Sequence, residues 1–169
     1  MHVEAQEGFA AALLASGLDS EGEWRVLDIG GQDVNGTVHD YFPHSKITVL
    51  DLYDGPGVDI VADACTWEPT SLFDVVISTE VLEHVADWRS ILATSAKALD
   101  PDGPATLLLT CASTGRPEHG QHGAPGLEPG EYYGNVDPQP LRVELTKHYT
   151  ISHVTFQHIP GDAYVWAIR

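Results

Sequence analysis

Positive charge is scarce in this chain: eight Lys and Arg stand against 25 Asp and Glu, a formal net charge of −17 at neutral pH. A surface of that sign repels phosphate backbones and anionic lipid, so it argues against nucleic acid or a membrane surface as partner. Cysteine is scarce as well. Cys65 and Cys111 are too few and too isolated for a disulfide framework or a zinc site, and they read as buried free thiols of a cytoplasmic protein. No apolar run approaches the roughly 20 residues needed to cross a bilayer. The opening Met1-His2-Val3-Glu4-Ala5-Gln6-Glu7 carries acids where a secretory signal needs a basic region and then an apolar run. A phosphate-cradling Gly-x-Gly-x-x-Gly is also missing. After Gly30 the chain reads Gly31, Gln32 and Asp33, and a pyrophosphate would meet Asp33 as a like charge. That disfavours a nicotinamide-dependent oxidoreductase.

What is present suffices for a folded domain. The chain has 169 residues, 43% of them hydrophobic, which suits one core and one domain spanning 1–169. Ala5 to Ser16 sets Phe9, Leu13 and Leu14, with Ala10 beside them, at helical spacing, and Gly17 follows as a stop. Short runs rich in β-branched residues come next, at 25–29, 47–52, 58–62, 73–78 and 105–111. They are nearly all apolar, as strands covered by helices on both faces must be. Trp88 to Leu99 reads as a helix with Ile91, Leu92, Ser95 and Leu99 on one face, and Asp100-Pro101-Asp102-Gly103 ends it. Alternating strands and helices imply a mainly parallel sheet. Near the C-terminus, 149–158 and 163–168 are strand-like runs joined by Ile159-Pro160-Gly161-Asp162, a joint short enough for an antiparallel hairpin.

The most informative stretch is Val26-Leu27-Asp28-Ile29-Gly30-Gly31-Gln32-Asp33-Val34-Asn35-Gly36-Thr37, a hydrophobic strand running into a glycine turn before a helix. In a parallel α/β sheet such a turn lies at the carboxyl edge, where ligands bind. Three acids follow at the ends of strands or in acidic turns: Asp51 in Val49-Leu50-Asp51-Leu52, Asp63 in Val61-Ala62-Asp63-Ala64, and Glu80 after Phe73-Asp74-Val75-Val76-Ile77-Ser78. In this order and spacing the segments resemble the motifs of class I S-adenosylmethionine-dependent methyltransferases. The resemblance covers most of the chain. It implies an α/β Rossmann-like, doubly wound, seven-stranded sheet, mainly parallel, ending in an antiparallel hairpin. It also implies S-adenosylmethionine as cofactor. Asp51 would take the ribose hydroxyls, and Asp63 would accept from the adenine amino group. Asp28, Gly30, Gly31, Gln32, Asn35, Leu52, Ala64, Ser78, Thr79 and Glu80 complete the expected cofactor site. The family usually has a second glycine where Gln32 stands.

Methyl transfer from a sulfonium is an in-line displacement that positioning can drive, and a base is needed only if the nucleophile arrives protonated. His84, after Glu80-Val81-Leu82-Glu83, is the first candidate, with a packed or capping histidine as its plainer reading. The Gly- and Pro-rich stretch 112–137 has no period and supplies His119, His122, Tyr132 and Tyr133 as further candidates. The resemblance places this stretch over the acceptor pocket, as a loop that closes on ligand. Glu118, His119, His122 and Glu131 offer O and N ligands, but their spacing matches no established metal site, and no metal is expected. The expected acceptor is a small molecule offering an O, N or C nucleophile. A module that binds the cofactor without catalysis is the rival reading. Oligomeric state is left open.

Overall fold

The computed structural model describes residues 2–34, 36–121 and 126–169. Its elements run α1 (Val3–Ser16), β1 (Arg25–Ile29), a 3-10 turn (His39–Tyr41), β2 (Lys46–Asp51), β3 (Ile60–Val61) and β4 (Val75–Thr79). After a second 3-10 turn (Leu82–His84) come α2 (Trp88–Ala98), β5 (Thr106–Ala112), α3 (Pro138–Leu145), β6 (Ile151–Gln157) and β7 (Asp162–Ile168). The seven strands form one sheet in the order β3-β2-β1-β4-β5-β7-β6. The first five are parallel, and β7 inserts antiparallel between β5 and β6, pairing Leu109 with Val165 and Val165 with Val154. The expected doubly wound sheet and terminal hairpin are both present.

Alternation along the strands sends side chains to two cores. Leu27, Val76, Leu107 and Leu109 face α2 and α3, packing on Ile91, Leu92, Leu141 and Leu145. Val26, Val75, Ile77 and Leu108 face the other way, against Phe9 and Leu13 of α1 and Val38 and Phe42 beside the first 3-10 turn. Gly17 ends α1 in the left-handed conformation (φ 73°), its N–H donating to the Leu14 carbonyl. Leu14 itself is exposed, contrary to the amphipathic face read from sequence, because it sits about 100° round the helix from Leu13.

Three local expectations change. The glycine turn leads into only a 3-10 turn, since 31–45 combines Gly31, Gly36, Pro43 and the β-branched Val34, Thr37 and Val38, all poor helix formers. Strand β3 shrinks to two residues with Val61 exposed, because the links on either side of it carry no helix to cover it. The third change is α3, a helix in a segment to which the sequence reading gave no element. Its signals are local: Asp137 caps it by accepting from the Gln139 N–H at 2.8 Å, and Pro138 occupies the first helical position.

Candidate functional site

Strand β1 is flanked by β2 on one side and β4 on the other, so the strand order reverses there and a crevice opens at the carboxyl ends. A cavity of about 230 Å³ occupies that crevice. Gly30 (φ 75°) turns the chain sharply as β1 ends, and its N–H donates to the Leu50 carbonyl at 2.7 Å. A Cβ on Gly31 would overlap the Asp28 carboxylate. Both glycines are therefore demanded by geometry, one by conformation and one by space.

Most of the acids and glycines expected at a cofactor site line this cavity: Asp28, Gly30, Gly31, Gln32, Asp51 and Leu52 on the β1 and β2 side. Asp63, Ala64, Thr79 and Glu80 line it too. Asp51 keeps both oxygens oriented, Oδ2 accepting from the Gln32 N–H at 3.2 Å and Oδ1 from the Tyr53 N–H at 3.1 Å. Asp63 Oδ1 accepts from the Cys65 N–H at 2.9 Å. A carboxylate has lone pairs beyond these, so each can still accept from a ligand. Cys65, read from sequence as buried, is partly exposed on the cavity wall, while Cys111 is buried.

Ser78 is a correction. It is fully buried, and its Oγ donates to the Ile29 carbonyl at 3.0 Å, bracing β4 against β1 outside the cavity lining. Position along the strand explains it, since of β4 only the terminal Thr79 lines the crevice. Asn35 and His122 lie outside the described residues.

At the end of β4, Glu80 holds a left-handed backbone (φ 58°), rare for a residue with a side chain and a mark of functional positions. Thr110 donates its hydroxyl to Glu80 Oε1 at 2.8 Å, and His2 Nε2 lies 3.3 Å from Oε2. Burial acts to raise the Glu80 carboxyl, but these contacts outweigh it and hold it below its ordinary value. Glu83 goes the other way. Burial first, then the charge of Glu80, pushes its carboxyl well above the usual range. Glu83 Oε1 accepts from the Ala112 N–H at 3.1 Å, and its main-chain carbonyl accepts from the Gly134 N–H at 2.8 Å. The two neighbouring carboxyls are thus shifted in opposite directions by their surroundings.

His84 lines the cavity as the sequence suggests, and burial, reinforced by His119, lowers its pKa so that its ring stays neutral. Three rings pack edge to face here: His84 and His119 at 5.2 Å, His84 and Tyr133 at 5.6 Å, His119 and Tyr133 at 4.9 Å between centroids. Burial raises the Tyr133 phenol, so it remains a donor, to Asn135 Oδ1 at 2.9 Å or the Pro117 carbonyl at 3.3 Å. The Tyr132 side chain is exposed and off the cavity wall, although its backbone lies against His84. Glu131 spends both oxygens on the N–H groups of Gln121 and Glu128, and Glu118 is exposed.

The stretch 112–137 is fastened at both ends rather than hung loose. Ser113 N–H donates to the Gly161 carbonyl at 2.7 Å, its Oγ donates to the Val136 carbonyl at 2.6 Å, and Val136 N–H donates to the Ala112 carbonyl at 3.0 Å. The sequence reading missed several members of the site. His39 pairs with Asp28 at 2.8 Å, and Asp162 lies 3.3 Å from both His2 and Arg116. None carries a local signal, because each meets its partner only through the fold.

A doubly wound sheet of this strand order, with a glycine turn and strand-end acids around one crevice, defines an α/β domain that binds an adenosine-type ligand at its switch point. The chain matches the family model described as a methyltransferase domain over residues 3–159. It belongs to that family. Among solved structures it is similar to DhpI in complex with S-adenosylhomocysteine, at 17% identity and TM-score 0.66, covering 99% of this chain and 87% of that one. It is similar to Haemonchus contortus phosphoethanolamine N-methyltransferase 2 with S-adenosylmethionine, at 15% identity and TM-score 0.68, covering 96% and 52%. A third is the Burkholderia thailandensis 1,6-didemethyltoxoflavin-N1-methyltransferase with S-adenosylhomocysteine, at 16% identity and TM-score 0.64, covering 98% and 76%. At these identities the likeness is one of fold. A search of curated protein sequences finds no match.

Proposed function

We propose that this chain transfers a methyl group from S-adenosylmethionine to a small-molecule acceptor. The observation that carries the reading is the convergence of Asp51, Asp63 and the Gly30-Gly31 turn on one cavity, in a chain of the methyltransferase-domain family. Asp51 would accept from the ribose hydroxyls and Asp63 from the adenine amino group, while the glycine turn lets the backbone close on the ligand. Glu80, ionised at the end of β4, suits the ammonium of the methionine moiety. The three similar structures hold S-adenosylmethionine or S-adenosylhomocysteine, which supports the same cofactor here.

The acceptor would enter beside His84, His119 and Tyr133. A net charge of −17 opposes a nucleic-acid acceptor, and no described helix is long and apolar enough to cross a membrane. A cytoplasmic setting is the one we propose for these free thiols. The test is incubation with methyl-labelled S-adenosylmethionine and a panel of small hydroxyl, amine and carbon acids. Label on an acceptor with matching release of S-adenosylhomocysteine supports the reading. Cofactor binding without turnover on any acceptor would favour the non-catalytic module instead.

A further inference from the structure

Where the second 3-10 turn meets the stretch after β5, Glu83, His84 and His119 each place one ligand-type atom within 4.8 Å of the others. Two of these residues carry atoms that are buried with no partner among the described residues, Glu83 Oε2 and His84 Nδ1. Glu83 is wholly buried, and an acceptor stripped of water without a donor is costly unless something fills the gap. His119 is already set for the same task. Its Nδ1 lies 3.1 Å from the Pro117 carbonyl, which can only accept, so Nδ1 carries the hydrogen and Nε2 keeps its lone pair free. A carbonyl fixing one imidazole nitrogen while the other faces an ion is the usual support of a metal-ligating histidine.

We infer that Glu83, His84 and His119 form a site for a first-row divalent transition ion at the acceptor end of the cavity. Two imidazoles and a carboxylate suit zinc, cobalt, iron or manganese better than magnesium or calcium, which take oxygen alone. Three such ligands around one ion lie about 3 to 4 Å apart, so the set at up to 4.8 Å needs only a small closure to hold an ion. The carboxylate is held in place by the Ala112 N–H on its other oxygen. Charge favours a cation, since the chain is strongly acidic and Glu80 stands near Glu83. His84 also lines the cavity, which brings the ion beside the space where the acceptor would enter. The ion can take an oxygen of the acceptor there, and His84 becomes a ligand rather than a proton acceptor. The ion site stands on this geometry alone; its use on the acceptor rests on the cofactor reading above.

The test is titration of the chelator-treated full chain with Co²⁺, followed by calorimetry and by visible absorption. One Co²⁺ per chain is expected, with ligand-field bands. His84→Ala and His119→Ala should each weaken binding at least about tenfold, while the exposed His44→Ala binds as the wild type does. His119→Ala is the safer variant for folding, because its ring is only partly buried. S-Adenosylhomocysteine is titrated into the same variants, so a failed metal arm with intact cofactor binding removes this inference alone. Co²⁺ affinity unchanged in both variants overturns it. So does loss of binding in His2→Ala instead, which would move the site to His2, Glu80 and Asp162, whose ligand-type atoms also lie within 4.8 Å of one another.

Discussion

His39 Nε2 lies 2.8 Å from Asp28 Oδ2, joining the 3-10 turn beyond the glycine loop to the last buried residues of β1. The contact sets the shape of the whole turn, because the same Asp28 oxygen occupies the space a Cβ on Gly31 would need. Asp28 Oδ1 is left buried without a partner among the described residues, on a side chain that lines the cavity.

Gly31→Ala is expected to push this carboxylate off His39. Overpacking of this kind costs about 1 to 3 kcal/mol, and the loss should appear both in chemical denaturation and in weaker S-adenosylhomocysteine binding. Wild-type stability and affinity in the variant would show that the turn yields freely.

The pair also makes stability depend on pH. The hydrogen bond to Asp28 raises the His39 pKa, with burial opposing it. A group whose folded pKa lies above its unfolded one stabilises in full below the unfolded value, about 6.5 for histidine, and loses that contribution as pH rises through the folded value. On the acid side the window closes where Asp28, raised by burial, takes up its own proton. The stability difference between wild type and His39→Gln should therefore shrink over the range from about pH 6.5 upward, as pH rises through the raised folded value. A difference that grows across that range would reverse the assignment.

The two tyrosines of the stretch after β5 should behave differently, although sequence treats them as a pair. Tyr133 packs on His84 and His119, while Tyr132 is exposed. Tyr133→Ala should lower turnover with any accepted substrate and leave S-adenosylhomocysteine affinity within about 0.5 kcal/mol. Tyr132→Ala should change neither. Paired kinetics and calorimetry decide it, and equal losses in both variants would place Tyr132 on the acceptor path.

The cavity wall around the glycine turn was legible in sequence because its parts are local. A strand, a glycine turn and strand-end acids lie within short segments, and Gly30, Asp51 and Asp63 all reach the cavity from where they were expected. The acceptor side was only partly legible. His84 was found from its place after β4, but its partners come from 35 and 49 residues on, across a stretch with no period. Glu83 was hidden for a further reason, since a charged residue in sequence reads as surface and here it is fully buried. Ser78 failed because its hydroxyl is taken inside the sheet by the Ile29 carbonyl, and of β4 only the terminal Thr79 lines the crevice. The α3 helix was missed although Asp137-Pro138 carried its start signal.

The central claim is that this cavity holds the adenosine cofactor through Asp51 and its neighbours. It is tested most directly by calorimetric titration of wild type and Asp51→Ala with S-adenosylhomocysteine, with NAD as comparison ligand. One S-adenosylhomocysteine per chain is predicted, with a raised Tm because the site exists only in the folded state. In Asp51→Ala binding should weaken by about 1.5 to 3 kcal/mol, the range for hydrogen bonds to a charged group. Wild-type affinity in Asp51→Ala, or binding of NAD and not of S-adenosylhomocysteine, would contradict it.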